Sequence, residues 1–392
     1  MLFSSAKQKN RSDCTGLVLP GGGARGAYQV GVIKAIAEFC EDEKSPFQVV
    51  TGVSVGSINA ASVASHASEF KSGTARMEAM WRNLHTHDIY RTDAAAVITN
   101  FFKWAGAILF GMGGESHISI FDNSPLEKLL EKRIHYDKIA KAIESGDLRA
   151  LAVTASGLTS GYAITFFQGQ EELVEWERAR RVGLSSEIKT KHLLASAALP
   201  IIFKAQRIGS EFFCDGSVRL TAPLSPPIRL GAERVLVIGA RDLTPNELPE
   251  RESEAHYPSI GEIGGYMMDV VFSDNLDSDI ERMSRINNTL SHLSNRQKAH
   301  NPLREIDIHT IYPSQDLRDI AKKHARQFPR SIRALLRGLG AWGGDWRLPS
   351  YLLFEPGFTG ELIDLGYNDA MAQKDTLIQF LKLREDDAAE TE

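Results

Sequence analysis

The chain has 392 residues, of which 43% are apolar, and its formal net charge is −5 at pH 7. This apolar content suffices for one large or two smaller domains, and the acidic balance argues against a general nucleic-acid binder. Three cysteines, odd in number and widely spaced, predict neither a disulfide framework nor a zinc site, and they favour a reducing compartment.

The two ends of the chain differ from the rest in composition. Residues 1–13 are polar and lack the apolar core of a signal peptide, so we expect a disordered N-terminal tail, and residues 385–392 form an acidic tail. No transmembrane helix is predicted, because no apolar run reaches the roughly 20 residues that span a bilayer. The sequence predicts a cytoplasmic or peripheral membrane protein with one main domain over residues 14–384, and leaves delivery by a specialised secretion system open.

The first recognisable unit is a strand, a glycine loop and a helix. A short strand is predicted over Thr15–Leu19, and apolar residues at helical spacing run from Ala27 to Phe39. The loop between them, Pro20–Gly26, presents several backbone N–H groups at the start of a helix. Such a loop favours an anion, which is either a phosphate or a transient oxyanion.

A phosphate site is the weaker of these two interpretations. Gly21, Gly23 and Gly26 match the dinucleotide fingerprint G-x-G-x-x-G, which expects an acidic residue about twenty positions later, at the end of the next strand. Here the next strand ends in Thr51-Gly52, and no Walker lysine follows the glycines. Nucleotide binding therefore stays as a minor alternative.

The second strand–turn–helix unit carries the most informative motif, Gly52-Val53-Ser54-Val55-Gly56. It matches the G-x-S-x-G nucleophile elbow, because an apolar strand (Phe47–Val50) precedes it and a helix of small residues (Ser57–Ala64) follows it. Gly52 and Gly56 are expected to keep a strained turn free of side-chain collisions. Ser54 is the candidate nucleophile, and a serine that merely caps the helix is the alternative.

A serine nucleophile gives the glycine loop a chemical role. Acyl transfer passes through a tetrahedral intermediate whose oxyanion needs preorganised donors. The backbone N–H groups of Gly22 and Gly23 are candidates for these donors. Arg25 is expected either to brace the loop or to bind a substrate phosphate, unless it simply points into solvent.

The middle of the chain predicts an insertion and a hairpin. Residues of about 94–120 form an interrupted apolar segment, interpreted as a cap or membrane-facing flap over the site. A helix is predicted over Leu126–Ile134 after a Ser-Pro start signal. The stretches Arg149–Ala155 and Tyr162–Phe167 predict the two strands of a hairpin.

The general base is the least certain residue of the site. Of eleven histidines, His192 lies on a predicted helix and the others considered lie among polar residues, and each of these is interpreted as a surface histidine rather than as a base. Asp215 ends a short aromatic strand (Glu211–Asp215), and Gly216 permits a sharp turn after it. An Asp-Gly pair is usually a turn former. Asp215 becomes a candidate base only because it follows the glycine loop and the elbow along the chain.

Toward the C-terminus the patterns predict two more strands and several helices. The strands are Arg234–Gly239 and Ile306–Ile311, and a long helix is predicted between them over Tyr266–Leu293. Thr244–Glu254 is a predicted exposed loop, and residues of about 315–384 form a C-terminal helical part. Alternation of strands and helices predicts an α/β fold with a mostly parallel sheet, whose active site lies at the carboxyl ends of the strands.

The three motifs in this order resemble the patatin-like phospholipase family. The matching residues are Gly21–Gly26, Gly52–Gly56 and Asp215-Gly216-Ser217, with Ala195–Pro200 similar to the helix end before the aspartate strand. The chain departs from the family pattern at Ser217, where glycine or alanine is common, and at Pro20, where aspartate or serine is common. The resemblance implies a three-layer patatin-like fold, a Ser54–Asp215 dyad without histidine, and an oxyanion hole in the glycine loop around Gly21, Gly22, Gly23 and Arg25.

The expected activity is therefore hydrolysis of acyl esters of phospholipids or similar lipids through an acyl-enzyme, with no metal or other cofactor. An acyltransferase using the same intermediate is the main alternative, and a non-catalytic lipid-binding protein is a weaker one. The sequence does not indicate an oligomeric state.

Two segments are candidates for peripheral membrane contact. One is the apolar segment Phe101–Phe110. The other is Lys322–Trp346, with arginines at helical spacing beside tryptophans; these residues are Arg326, Arg330, Arg333, Arg337, Trp342 and Trp346.

Overall fold

A computed structural model describes residues 14–95, 119–241 and 257–383, together with Thr99 and Gly106. The predicted tails, nearly all of the cap segment of about 94–120, the membrane candidate Phe101–Phe110 and the loop Thr244–Glu254 lie outside the described residues.

The described strands join one mixed sheet in the order β10-β9-β1-β2-β3-β4-β6-β5, with β8 on β3 and β7 on β8. The strands are β1 (Thr15–Leu19), β2 (Val49–Val53), β3 (Ala150–Gly157), β4 (Ala163–Gly169), β5 (Trp176–Arg178), β6 (Arg181–Ser185), β7 (Gln206–Ile208), β8 (Glu211–Asp215), β9 (Arg234–Ile238) and β10 (Asp307–Ile311). The run from β10 to β3 is parallel throughout, which confirms the predicted mostly parallel sheet.

Helices cover both faces of this sheet. They are α1 (Ala27–Phe39), α2 (Val55–Ser65), α3 (Phe70–Arg82), α4 (Thr86–Ile89), α5 (Ser124–Arg133), α6 (Tyr136–Glu144), α7 (Thr190–Ser196), α8 (Ser225–Arg229), α9 (Ile260–Asp269), α10 (Asn275–Ser291), α11 (Asn295–Ala299), α12 (Leu317–His324), α13 (Arg330–Gly338), α14 (Arg347–Leu352), α15 (Pro356–Met371) and α16 (Lys374–Leu381). Short 3₁₀ turns lie at Gly23–Gly26, Ala67–Glu69, Gly216–Val218 and Ala325–Gln327, and a π-helical turn lies at Val270–Asp274.

Alternate residues of the central strands face two separate cores, as expected for a sheet buried on both sides. In β1, Leu17 and Leu19 belong to the larger core while Val18 belongs to the smaller one. The larger core includes α1, α2 and α15, and the smaller one includes residues around α8 and α10. The result is a three-layer α/β fold.

Two strands share one position beside β3, and this arrangement creates the site. The first part of β3 pairs in parallel with β2, with Val53 opposite Thr154. The next part of β3 pairs in antiparallel fashion with β8, with Asp215 opposite Ala155. The two strands therefore meet end to end, and the chain leaves β2 at Ser54 where β8 ends at Asp215.

The structure agrees with the predicted hairpin and differs from the predicted long C-terminal helix. Strands β3 and β4 pair antiparallel, which confirms the predicted hairpin. The predicted helix Tyr266–Leu293 was wrong in its extent, because two α-helices from Ile260 to Ser291 are separated by the π-helical turn. Its start is set by Ser259, whose side chain accepts a hydrogen bond from the backbone N–H of Glu262 in a capping box.

Candidate active site

The elbow of Ser54 is a strained turn between β2 and α2. Ser54 has φ 54° and ψ −132°, in the region of positive φ that non-glycine residues seldom adopt. A Cβ on Gly56 would meet the carbonyl oxygen of Leu19, and a Cβ on Gly52 would meet that of Gly56. Both glycines are therefore required by close backbone packing, as the motif predicts.

A hydrogen-bonded chain holds Ser54 in this turn. The backbone N–H of Ser54 donates to Oγ of Ser196 at 2.9 Å, and that hydroxyl donates to the carbonyl oxygen of Thr154 at 2.7 Å. Ser57 donates to the Ser54 carbonyl from its backbone and from its hydroxyl. The main chain of Ser54 is thus tied to α7 and β3, and only 5% of the residue is exposed.

Asp215 is completely buried at the end of β8. Its Oδ1 accepts a hydrogen bond from the backbone N–H of Ser217 at 2.9 Å, while Oδ2 has no partner in hydrogen-bonding geometry among the described residues. Burial raises the pKa of Asp215 to about 6, against a lowering by the nearby hydroxyl of Ser54 and by Ser217. The Ser54 hydroxyl is thus close enough to influence the carboxyl without completing a hydrogen bond to its free oxygen. A Cβ on Gly216 would collide with the Thr154 carbonyl oxygen, so glycine is needed in the turn after this aspartate.

The glycine loop lies beside the elbow. A Cβ on Gly26 would lie 2.8 Å from a methyl group of Val55, and Gly23 lines the same cavity as Ser54. The backbone N–H groups of Gly22 and Gly23 donate to none of the described residues. The N–H of Val55, the first residue of α2, likewise has no acceptor in the described part of the chain. Sequence reasoning missed Val55, although the G-x-S-x-G pattern points to the residue after the nucleophile.

Arg25 is a brace, and it does not point into solvent. Only 2% of it is exposed, and its guanidinium donates to Oγ of Ser350 at 2.7 and 2.9 Å and to the Tyr351 hydroxyl at 3.1 Å. Its Nη1 lies 3.4 Å from a carboxylate oxygen of Asp269. The backbone N–H of Arg25 donates to the Gly22 carbonyl. Neither the guanidinium nor the backbone N–H of Arg25 faces the Ser54 cavity. Of the roles predicted for Arg25, this geometry fits support of the loop and not a place in the oxyanion hole.

The remaining loop glycine, Gly21, lies under an aromatic side chain. A Cβ there would meet the ring of Phe272 and would lie 2.8 Å from Oγ of Ser217. Phe272 belongs to the π-helical turn, and its ring centroid lies 5.3 Å from that of Tyr351. The loop is therefore covered from the C-terminal part of the chain, which no local sequence signal predicts.

An apolar cavity opens beside Ser54. Its lining consists almost wholly of aliphatic and aromatic side chains from α2, α3, α4 and α5 and from the turns around them, with Arg133 as the one charged residue of the described lining. The apolar lining residues include Ile58, Trp81, Leu84, Ile89, Leu126, Leu130, Ile134, Phe203 and Phe354. Such a cavity suits an acyl chain.

No histidine lines this cavity among the described residues. His192 is buried, and its Nδ1 accepts a hydrogen bond from the backbone N–H of Lys189 at the start of α7. Burial lowers the pKa of His192 to about 4. The expectation of a solvent-exposed histidine is therefore wrong for His192, which has a structural role.

The pattern of strand, loop, elbow and aspartate can now be compared with known proteins. A family model described as Patatin-like phospholipase matches residues 17–228, which include Ser54 and Asp215. The chain belongs to the patatin-like phospholipase family. The match ends near α8, so the helices that cover Gly21 and hold Arg25 lie beyond it.

Individual proteins match either at low identity or over a short stretch. Lysophospholipase nte1 of Aspergillus terreus is 44% identical over 73 residues, which are 17% of this chain and 4% of that protein. VipD from Legionella pneumophila aligns over 93% of this chain and 67% of its own, with 11% identity and a TM-score of 0.35. ExoU of Pseudomonas aeruginosa, in complex with SpcU, aligns over 40% of this chain and 35% of its own, with 18% identity and a TM-score of 0.22. The chain thus spans a small part of the curated relative.

The predicted site residues fall into two groups. Ser54, Asp215, Gly23 and the elbow glycines lie together at the carboxyl ends of β1 and β2. Arg25 faces away from the cavity. Arg326, Arg330 and Arg337 of the predicted membrane segment are exposed, while Arg333 and both tryptophans are half-buried. None of the described helices combines the length and apolarity needed to cross a bilayer.

Proposed function

We propose that the chain is a serine acyl hydrolase that cleaves fatty-acyl esters of phospholipids, with Ser54 as nucleophile and Asp215 as general base. The observation that supports this most is the buried carboxyl of Asp215, which has a free Oδ2 where β8 meets the end of β2. A carboxyl whose pKa is about 6 is largely ionised at pH 7 and yet basic enough to accept a proton.

The reaction proceeds in two halves. Oγ of Ser54 attacks the ester carbonyl carbon while Asp215 takes the hydroxyl proton, and the oxyanion accepts hydrogen bonds from the N–H groups of the glycine loop and Val55. The intermediate collapses to an acyl-enzyme, and Asp215 returns the proton to the departing alcohol. Water then attacks the acyl-enzyme with Asp215 again as base, which releases the fatty acid and restores Ser54.

Substrate class is suggested by the cavity and by the family. The lining beside Ser54 is apolar, as a site for an acyl chain would be, and the fungal relative is named a lysophospholipase. Arg133, exposed on α5 at the cavity, offers a cation for a phosphate group. Together these features favour a phospholipid or lysophospholipid over a neutral ester.

A mutant series on a soluble short-chain ester tests the dyad. Ser54→Ala and Asp215→Asn should each lower turnover about 10⁴-fold, and the double variant should be hardly worse because the two groups act as a unit. A fluorophosphonate probe should label the wild type at Ser54 and leave Ser54→Ala unlabelled. Asp279→Asn is the control, since Asp279 is also buried but accepts its hydrogen bonds from the Leu224 N–H and from Arg282, away from the site. Near-normal turnover in folded Asp215→Asn would refute the proposal.

A further inference from the structure

Helix α9 exposes a continuous apolar stripe. Tyr257 precedes the helix and is 92% exposed, Ile260 is 74% exposed, and Met267 is 60% exposed. Within the helix, Ile260, Ile263 and Met267 follow one another at spacings of three and four residues, which places them on one side. We call this surface the α9 apolar face; its residues are Tyr257, Ile260, Ile263, Tyr266, Met267 and Val270.

The orientation of α9 is set by the packing of its opposite side. Gly261 and Gly265 allow close contact with Ala341 and with Arg347 and Leu348, and Met268 is buried. Its acidic residues have partners: Glu262 accepts from the Ser259 N–H, and Asp269 pairs with Arg25 and Arg347. The apolar face is therefore uncharged and turned outward by the fold itself.

A helix that carries exposed cationic side chains is joined to the start of α9. The backbone N–H of Gly261 donates to the Leu339 carbonyl at 2.8 Å, which joins α9 to the end of α13. On α13, Arg330 and Arg337 are exposed and form no ion pair with the described residues. The Arg337 guanidinium lies 4.8 Å from the ring centroid of Trp342. At the start of α9 the uncharged apolar face thus adjoins a helix with two exposed arginines, of which Arg337 lies beside an indole ring.

The same helix leads directly to the candidate active site. After Asp269 the chain enters the π-helical turn, where Phe272 packs on Gly21 of the glycine loop. π-helical turns are rare and often lie at functional sites. The π-helical turn and Phe272 therefore connect α9 to the glycine loop, which supplies the proposed oxyanion hole.

We propose that the α9 apolar face, with Arg330 and Arg337, is the surface by which the protein docks on a bilayer that contains anionic lipid. The inference rests on the proposed function, because a phospholipid substrate resides in such a bilayer. Aliphatic, methionine and tyrosine side chains enter the acyl–headgroup boundary, while arginines and an indole remain at the headgroups. The attraction is local, since the chain as a whole carries a net charge of −5.

A protein partner or a second copy fits the face less well. A stable protein interface surrounds its apolar centre with a polar rim that makes directed hydrogen bonds. Here the stripe is one helix wide, and its polar neighbours Glu262, Ser259 and Asp269 are already bonded within the chain.

The test is cosedimentation of the full chain with vesicles of three parts phosphatidylcholine to one part phosphatidylglycerol. It is carried out on a Ser54→Ala background, so that lipid hydrolysis does not alter the vesicles and binding is measured independently of the proposed chemistry. The variant Ile260→Ser/Tyr266→Ser/Met267→Ser should bind at least ~10-fold more weakly. The control Leu158→Ser/Val174→Ser/Leu303→Ser removes exposed apolar side chains elsewhere and should bind like the background.

The arginines give a second, separable signal. Arg330→Gln and Arg337→Gln should each weaken binding about fivefold on these vesicles. That loss should disappear on pure phosphatidylcholine and shrink as salt rises. With Ser54 restored, the α9 triple variant should lose activity on vesicles and keep its activity on a soluble ester.

Three results would overturn the inference. The first is unchanged vesicle binding of the folded α9 triple variant, and the second is an equal loss in the control variant. The third is a wild type that sediments as a dimer while the α9 triple variant is a monomer, which would assign the face to a second copy. Absence of turnover on both vesicles and soluble ester, with vesicle binding as expected, would instead refute only the proposed function.

Discussion

The part of the chain that matches the family and the part that follows it contribute different things to one site. Residues 17–228 supply Ser54, Asp215 and the glycine loop. The later part supplies Asp269, Ser350 and Tyr351, which hold Arg25, and Phe272, which lies on Gly21. Reacting groups and the supports of the loop thus come from separate stretches of sequence.

The two parts also differ in how their polar residues affect folding stability. In the first part, Ser54 has positive φ and Asp215 is a buried carboxyl with one oxygen unpartnered, and both features cost stability. In the second part, the polar groups around Arg25 are hydrogen-bonded or ion-paired. We infer that the Ser54–Asp215 dyad is reactive at the expense of folding stability, whereas the contacts of Arg25 support both activity and stability. The following predictions test this contrast.

A large loss of turnover, second only to that of the dyad variants, is expected where the two parts meet, at Gly23. It has φ 54°, and a Cβ there would meet the Tyr351 carbonyl oxygen, so Gly23→Val should displace the loop. Loss of one oxyanion donor typically lowers kcat about 10²–10³-fold, with less change in KM. Gly209→Val is the control, because Gly209 also has positive φ but no neighbour within 4 Å. An unaltered kcat in folded Gly23→Val would remove the loop from the chemistry.

Asp215→Asn should stabilise the protein while it abolishes activity. Burial raises the pKa of Asp215 from 3.8 to about 6, so the folded state holds the proton more tightly than the unfolded chain. The free energy of unfolding then falls as pH rises from about 4 to 6, and the full cost above pH 7 is about 3 kcal/mol. Urea titrations should show a more stable Asp215→Asn at pH 8, with the advantage shrinking toward pH 4. If Asp215→Asn were less stable than the wild type at pH 8, the inference that the dyad costs folding stability would be contradicted.

Arg25→Met should lower stability and activity together. It removes the bonds to Ser350 and Tyr351 and leaves Asp269 with Arg347, so we expect a loss of about 2–4 kcal/mol. Activity should fall about tenfold or more, because the loop loses its support. Arg76→Met, at an exposed ion pair with Glu69, is the control and should change stability by less than about 1 kcal/mol. Full stability in Arg25→Met would show that the later part merely covers the loop.

The pH profile of the wild type should report the same carboxyl. The base form of Asp215 is required, so kcat/KM on a soluble ester should fall about tenfold for each pH unit below about 6. Burial lowers the pKa of His192 to about 4, so this residue titrates well below the midpoint expected for Asp215. Accordingly, His192→Gln should leave the midpoint in place, and a shift of the midpoint would reopen the histidine alternative.

The smallest effect concerns the substrate head group. Arg133→Gln should raise KM about fivefold for a lysophospholipid and leave that for a neutral monoacylglycerol unchanged, since one charge-assisted contact to phosphate is lost. Lys132→Gln, an exposed neighbour that does not line the cavity, serves as the control. Equal effects on both substrates would separate Arg133 from head-group recognition.

Local patterns predicted much of the site. The strand bounds of β1, the helix Ala27–Phe39 and the elbow follow from apolar periodicity and from glycines that only close packing explains. Asp215 was a weaker prediction, because an Asp-Gly pair at a strand end is common in turns. The earlier start of α9 depends on Ser259 capping and on contacts with Gly340 and Ala341, which lie about eighty residues away.

By itself, the sequence determined the α/β class, the glycine loop and the serine elbow, because these depend on residues that are neighbours along the chain. Only the tertiary structure decided that β2 and β8 meet end to end beside β3, which brings Ser54 to Asp215 across 161 positions of sequence. It also decided that Arg25 points into the fold and that α9 presents an apolar face. These features depend on burial and pairing between distant segments, and neither periodicity nor motif spacing encodes which distant surfaces will meet.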